Sequence, residues 1–331
     1  MTDDRIRIYP WATDTMGCFY QRLKMPLDAL ERLHGDEFEV CWTCEPRAPG
    51  VVLGQRIMGH GGTGDERWLA YCRDPSMLAV YEIDDDVLDI DPESPDSYHI
   101  WAPHREGTLR NIAWADHVIA ATRTLAAKVL RFTDGTVSVA PNCVEKVLAP
   151  RGRPRVPVTI GWGGSWFHEQ DFPPSLIDQL RGVAEVHPDV RWTSMGADYL
   201  RRVDPKASFF GFGTVQQYHD RLTFIDIGIA PLRRTRFNAS RSWIRALDYM
   251  ANGVVPVVEG WGQYPELLAF SGRTGAIVEE PSDWFSVLSS AIAEVRDGYF
   301  SNGSIHDRAS EYLIDRQVHR WADVFRRARD L

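Results

Sequence analysis

The chain has 331 residues, 44% of them hydrophobic and 25% charged, with a formal net charge of -9. That length and apolar content suit two domains with sizeable cores and exclude a disordered or fibrous chain. The acidic balance argues against a large nonspecific nucleic-acid surface, although a local basic groove is compatible with it.

The opening MTDDRIRIYP is polar, and no uninterrupted apolar run approaches the roughly 20 residues that span a bilayer. We therefore expect a cytoplasmic protein without stable membrane insertion. Five cysteines, an odd number in a chain too large to need staples, predict reduced thiols. Cys41 and Cys44 form a CWTC pair, but no second pair stands at finger spacing and the surroundings read as a strand end, so no metal is expected there.

In chain order, Arg5 to Trp11 reads as a strand, a loop follows through Gly17, and Phe19 to Leu33 has helical spacing with a break at Gly35. Apolar runs at Phe38 to Trp42, Val51 to Leu53, Met77 to Ile83, His117 to Ala120 and Thr136 to Ala140 alternate with helical patterns, as a parallel sheet with crossover helices requires. Residues 144–157 contain three prolines and no packed pattern, and read as a hinge. A second set of runs follows at Val158 to Trp162, Val190 to Ser194, Ala207 to Phe210, Phe224 to Ala230, Val254 to Val258 and Gly275 to Val278, and from Pro281 onward the pattern is mainly helical. The predicted fold class is α/β, with two Rossmann-like doubly wound domains facing across a cleft. The first spans 1–150 and the second 151–314, with a terminal helix of about 315–331 packing back onto the first. Such domains bind ligands at the carboxyl ends of their strands.

Between Asp226 and Asp248 lie five arginines, at 233, 234, 236, 241 and 245, and no acidic residue. A cationic stretch in an anionic protein points to a small anionic ligand. The spacing predicts a strand through Ala230, a loop, and a helix starting at Asn238 or Ser240 and stopped by Gly253. On that helix Arg241, Arg245 and Asp248 share one stripe beside an apolar face of Ile244, Leu247, Met250 and Ala251. Free N–H groups at the helix start and two forked guanidiniums could hold a diphosphate, and Asp248 suits neutral hydroxyls such as those of a ribose. The alternative is a solvated helix face whose charges pair with one another.

The segments ADHVIAATRTLAAKVL, VSVAPNCVE, VTIGWGGSWFHEQDF and DIGIAPLRRTRFNASRSWIRALDYMANGVVPVV resemble GT-B glycosyltransferases of the large retaining family 4 type, over about residues 110–270. Pro141, Asn142, Cys143, Val144 and Glu145 stand where family members carry PNGVD, with Cys143 in place of the usual Gly. The resemblance implies a nucleotide-activated sugar donor, transfer with retained anomeric configuration, no obligatory metal and no other cofactor. Two acidic residues separated by seven others mark the donor site in that family; Asp248 matches the second, and Ser240 stands at the first. The family's Arg and Lys from the first loop of domain two are missing from GWGGSWFHE, so Arg241 and Arg245 are the expected replacements. Gly163, Gly164, Ser165, Phe237, Asn238, Ser240 and Ser242 complete the expected donor site. The opening TDTMGCFYQRLKMPLDAL and the EIDDD segment look similar to short glycosyltransferases carried by bacteriophages, some of which decorate hydroxymethylated bases in DNA.

Asp84, Asp85 and Asp86 follow a strand, and consecutive side chains of an extended segment point to opposite faces, which disfavours a converging metal set. We expect Asp84 or Asp85 to face the acceptor, with Asp85 in a catalytic role, and Gly17, Tyr20 and Arg22 to line the acceptor site. The expected acceptor is a hydroxymethylpyrimidine in DNA, ahead of a natural product or cell-envelope glycan. A nucleotide-sugar epimerase and an inactive glycosyltransferase-like binding module are the rival readings.

Overall fold

The computed structural model describes residues 4–59, 64–92, 95–150 and 156–331, so the expected hinge at 144–157 lies partly outside the described residues. The chain divides into two compact units. The first comprises Met1–Glu145, Thr235–Ser242 and Ile314–Leu331; the second comprises Lys146–Arg234 and Trp243–Leu313. No helix among the described residues is long and apolar enough to cross a membrane.

The first unit is built on β1 (Ile6–Trp11), β2 (Phe38–Val40), β3 (Gly50–Gln55), β4 (Met77–Ile83), β5 (His117–Ala120) and β6 (Thr136–Val139). All pairings are parallel, in the order β2-β1-β3-β4-β5-β6. Strands β3 and β4 are buried along their whole length, as parallel strands covered on both faces must be. Alternation along β4 sends Leu78 and Val80 to one core with Leu27, Leu30, Trp321 and Phe325, and Ala79 and Tyr81 to a second with Trp68, Ile112 and Leu125. The helix after β1 runs from Gly17 to His34 through a π-helical segment, Tyr20–Lys24.

The second unit carries β7 (Thr159–Gly164), β8 (Arg191–Gly196), β9 (Ser208–Phe210), β10 (Ile227–Ala230), β11 (Val255–Glu259) and β12 (Ala276–Val278), again all parallel. Their order is β12-β11-β10-β7-β8-β9, the doubly wound arrangement. Strand order reverses between β1 and β3 in the first sheet and between β7 and β10 in the second. The carboxyl ends of those two pairs are therefore where each unit presents a crevice. There the chain carries Ala12 to Asp14 and Arg56 in the first unit, and Gly164, Ser165 and Pro231 to Arg234 in the second.

The helix expected to start at Asn238 or Ser240 is two helices. Thr235 caps a four-residue turn, Arg236–Ala239, by accepting from the Asn238 N–H, and a separate helix runs Ile244–Ala251. Ser240 is diverted from helix formation: its Oγ donates to Asp86 Oδ2 at 2.9 Å and its carbonyl accepts from Thr122 Oγ1 at 2.9 Å. Arg241 consequently lies outside the helix, and the common stripe with Arg245 and Asp248 does not form. The expected stop holds, with Gly253 at φ +68.

Candidate functional site

In the second unit the helix Ile244–Ala251 lies on β10 and β11 and brings Arg245 to the end of β7. Arg245 Nε donates to the Gly163 carbonyl at 2.9 Å, and Nη2 lies 2.7 Å from His168 Nε2. A guanidinium has no acceptor, so the imidazole must accept at Nε2 and carry its proton on Nδ1. That Nδ1 lies 2.7 Å from Asp171 Oδ2, and Asp171 Oδ1 accepts from the Arg233 N–H at 2.8 Å. His168 and Asp171 are both buried. The guanidinium also stands over the Trp162 ring, 5.3 Å from its centroid.

Gly163 and Gly164 serve this packing. The Gly163 N–H donates to Tyr249 Oη at 3.3 Å, and a Cβ there would come within 2.7 Å of the Tyr218 ring. A Cβ on Gly164 would come within 2.9 Å of Arg245 Nη2 and 2.7 Å of Trp162. The Gly163 N–H is thus used inside the unit. Ser165 is half-buried and precedes the 3-10 turn Trp166–Asp171 that carries His168.

Arg245 differs from three of its neighbours in the basic stretch, which pair with carboxylates. Arg234 pairs with Glu259 at 3.3 Å, Arg236 with Asp89 at 3.3 Å and Arg241 with Asp85 at 3.8 Å. Arg245 has no carboxylate ion-pair partner among the described residues, and its Nη1 makes no hydrogen bond there. One turn along, Asp248 is buried, and its Oδ1 makes no hydrogen bond among the described residues. Burial pushes its carboxyl up to about 8, against the pull of Arg245.

In the first unit the crevice is acidic with an embedded cation. Arg56, buried and at φ +44, is fixed by Asp14 Oδ2 at 3.0 Å and lies 3.6 Å from Asp84 Oδ1, 3.7 Å from Asp85 Oδ2 and 4.9 Å from the Trp101 ring centroid. Thr13 Oγ1 ties the loop after β1 to the carbonyl groups of Gln55 and Arg56. Burial and Asp84 push the Asp85 carboxyl up, while Arg241 and Arg56 oppose them. Cys18, Asp84 and Asp85 each offer one ligand atom within 4.8 Å of the others and so could hold a cation, for which Arg56 competes. The Cys18 thiol is held well up by burial and by Asp84, so it is protonated as it stands. Asp86 faces away from this group, toward Lys128 and Ser240.

Several expected site residues are engaged elsewhere. Arg22, expected at the acceptor, is buried: Nε pairs with Glu82 Oε1 at 2.6 Å, Nη1 donates to Ala140 O and Asn142 Oδ1 at 2.8 and 2.9 Å, and the guanidinium stacks on Trp321. It braces the carboxyl ends of β4 and β6 rather than facing solvent. Tyr20 packs partly against the same core. Gly17 is exposed, with open space where a Cβ would stand. Phe237 packs on the first unit's second core, Asn238 and Ser240 are buried, and Ser242 Oγ accepts from Asn142 at 2.6 Å. The whole segment Thr235–Ser242 belongs to the first unit, so Phe237, Asn238, Ser240, Arg241 and Ser242 are not part of the second unit that holds Arg245 and Asp248.

The sequence did not single out Arg56, His168 or Asp171. The positive φ of Arg56 leaves no trace in residue type. His168 and Asp171 stand three apart just after β7, and that spacing in a 3-10 turn aligns side chains, which was a usable signal.

No family model and no curated protein matches the sequence. Solved structures do match in fold. WaaG, a glycosyltransferase involved in lipopolysaccharide biosynthesis, is 13% identical, with a TM-score of 0.62 over 97% of this chain and 99% of that one. A variant of S. aureus TarM in complex with fondaparinux, α-GlcNAc-glycerol and UDP is 12% identical, with a TM-score of 0.58 over 83% of this chain and 55% of TarM. The pneumococcal O-GlcNAc transferase GtfA in complex with UDP and GlcNAc is 11% identical, with a TM-score of 0.57 over 85% of this chain and 57% of that one. The chain thus spans little more than half the length of TarM and GtfA. Its fold is the two-domain α/β GT-B fold of these glycosyltransferases.

Proposed function

We propose that the protein is a glycosyltransferase that takes a UDP- or GDP-sugar on its second unit and transfers the sugar, with retained configuration, to an acceptor hydroxyl on its first. The observation that carries this reading is Arg245, a cation at the switch point of a doubly wound sheet with no carboxylate partner among the described residues. Nη1 would meet the diphosphate. The unpartnered Oδ1 of Asp248 would accept from a ribose hydroxyl, which relieves the cost of leaving a buried oxygen unsatisfied. UDP in the complexes of the TarM variant and GtfA, on the same fold, supports a nucleotide-sugar donor.

In the proposed reaction the bond from the anomeric carbon to the leaving phosphate oxygen breaks, and the acceptor oxygen bonds to that carbon on the same face. The acceptor proton passes to the leaving phosphate. Arg245 stabilises the charge that develops on the diphosphate, so the reading invokes no resident metal or other cofactor. Asp84 and Asp85 would orient the acceptor hydroxyl. DNA carrying hydroxymethylpyrimidines would have to bring its phosphates to Asp14, Asp84 and Asp85, whereas a neutral polyhydroxylated acceptor would not, and the carboxylates favour the latter.

The test is mass spectrometry after incubation with a panel of nucleotide sugars and with hydroxymethylated DNA, plain DNA or polyhydroxylated small molecules. Gain of one sugar mass on an acceptor, abolished by Arg245→Ala, is the expected result. Turnover of donor into another sugar without any acceptor would instead indicate an epimerase.

A further inference from the structure

Arg245 is held more closely than a surface arginine. Its Nε bonds the Gly163 carbonyl, its plane lies over Trp162, Gly164 leaves room for Nη2, and Nη2 ends on His168. The imidazole in turn is fixed by Asp171, which also takes the Arg233 backbone N–H. Every member is provided by the three segments that meet at the β7 and β10 switch point. A long side chain left to rotate would lose most of its value as an anion site, because ordering it has an entropic cost.

We propose that His168, locked by Asp171 as its Nδ1–H tautomer, is a positioning residue for the donor diphosphate. It acts through Arg245, holding Nη2 so that Nη1 points at the phosphate oxygens. The inference rests on the reading of Arg245 as the diphosphate contact. The neutral imidazole is essential to the arrangement, since a proton on Nε2 would set donor against donor. Asp171 keeps the proton on the far nitrogen, so the pair prepares the guanidinium without spending its charge.

A double-mutant cycle tests this, using calorimetric titration of UDP and GDP alongside uridine and guanosine. His168→Ala is expected to weaken the nucleoside diphosphate that binds by about tenfold and leave the nucleoside unchanged. His168→Gln, whose amide oxygen can accept from Nη2, should recover most of the loss and controls for folding. In an Arg245→Ala background, His168→Ala should have no further effect. Equal loss for nucleoside and diphosphate, or the same loss with and without Arg245, would overturn the positioning role while leaving the donor reading intact. Wild-type protein that binds diphosphates no better than nucleosides would remove the donor reading, and this role with it.

Discussion

Asp248 combines a role in the proposed donor site with a cost to the fold. Its carboxyl, pushed up to about 8 by burial, keeps a proton that the unfolded chain releases near pH 4. The folded state therefore binds more protons between pH 4 and 8, and stability falls as pH rises through that window and levels off above it. Asp248→Asn should be more stable than wild type, with an advantage that grows from pH 5 to pH 8. Denaturant titrations at several pH values check this, and a pH-independent difference would contradict it. Asp248→Ala, which removes the acceptor altogether, should weaken nucleosides as well as nucleoside diphosphates, since the proposed contact is to the ribose. Arg245 and Asp248 do fall on one regular helix, as their spacing predicts. Arg22 misled, since an arginine beside a cleft loop looks the same in sequence whether it faces solvent or a buried Glu82.

The segment Thr235–Ser242 shows what an element can hide. Its strand, loop and helix setting was legible, but the break at 240–243 depends on Asp86 and Thr122, each more than a hundred residues away in sequence. No local propensity encodes a serine hydroxyl captured by a distant carboxylate. Ser240→Ala removes that bond and is expected to cost about 1–2 kcal/mol of stability, with little change in nucleoside diphosphate affinity. A large affinity loss at unchanged stability would instead make Ser240 a donor contact. Most of the twelve strands among the described residues were legible for a simple reason: buried parallel strands are short apolar, β-branched runs between polar helices, whereas the edge strand β9 is exposed along its length. The π-helical segment Tyr20–Lys24 was not, because its apolar spacing is close to that of the α-helix around it.

At the scale of the molecule, three separate stretches of chain build the first unit, and the last, Ile314–Leu331, contributes Ile314, Val318, Trp321, Ala322, Val324 and Phe325 to its core. A chain ending at Leu313 should lose cooperative unfolding of the first unit, whereas the second unit's segments all remain. Limited proteolysis that cuts first within residues 4–145 would show this, and a protease pattern like that of the intact chain would oppose it. Arg245 is the proposed contact for a donor diphosphate. Its most direct measurement is the affinity of UDP and GDP for the wild type and for Arg245→Ala and Arg245→Lys. The expected loss is about tenfold to a hundredfold for Ala, only partly recovered by Lys, whose single point charge cannot keep both the Gly163 and His168 bonds. Unchanged diphosphate affinity in Arg245→Ala would contradict it.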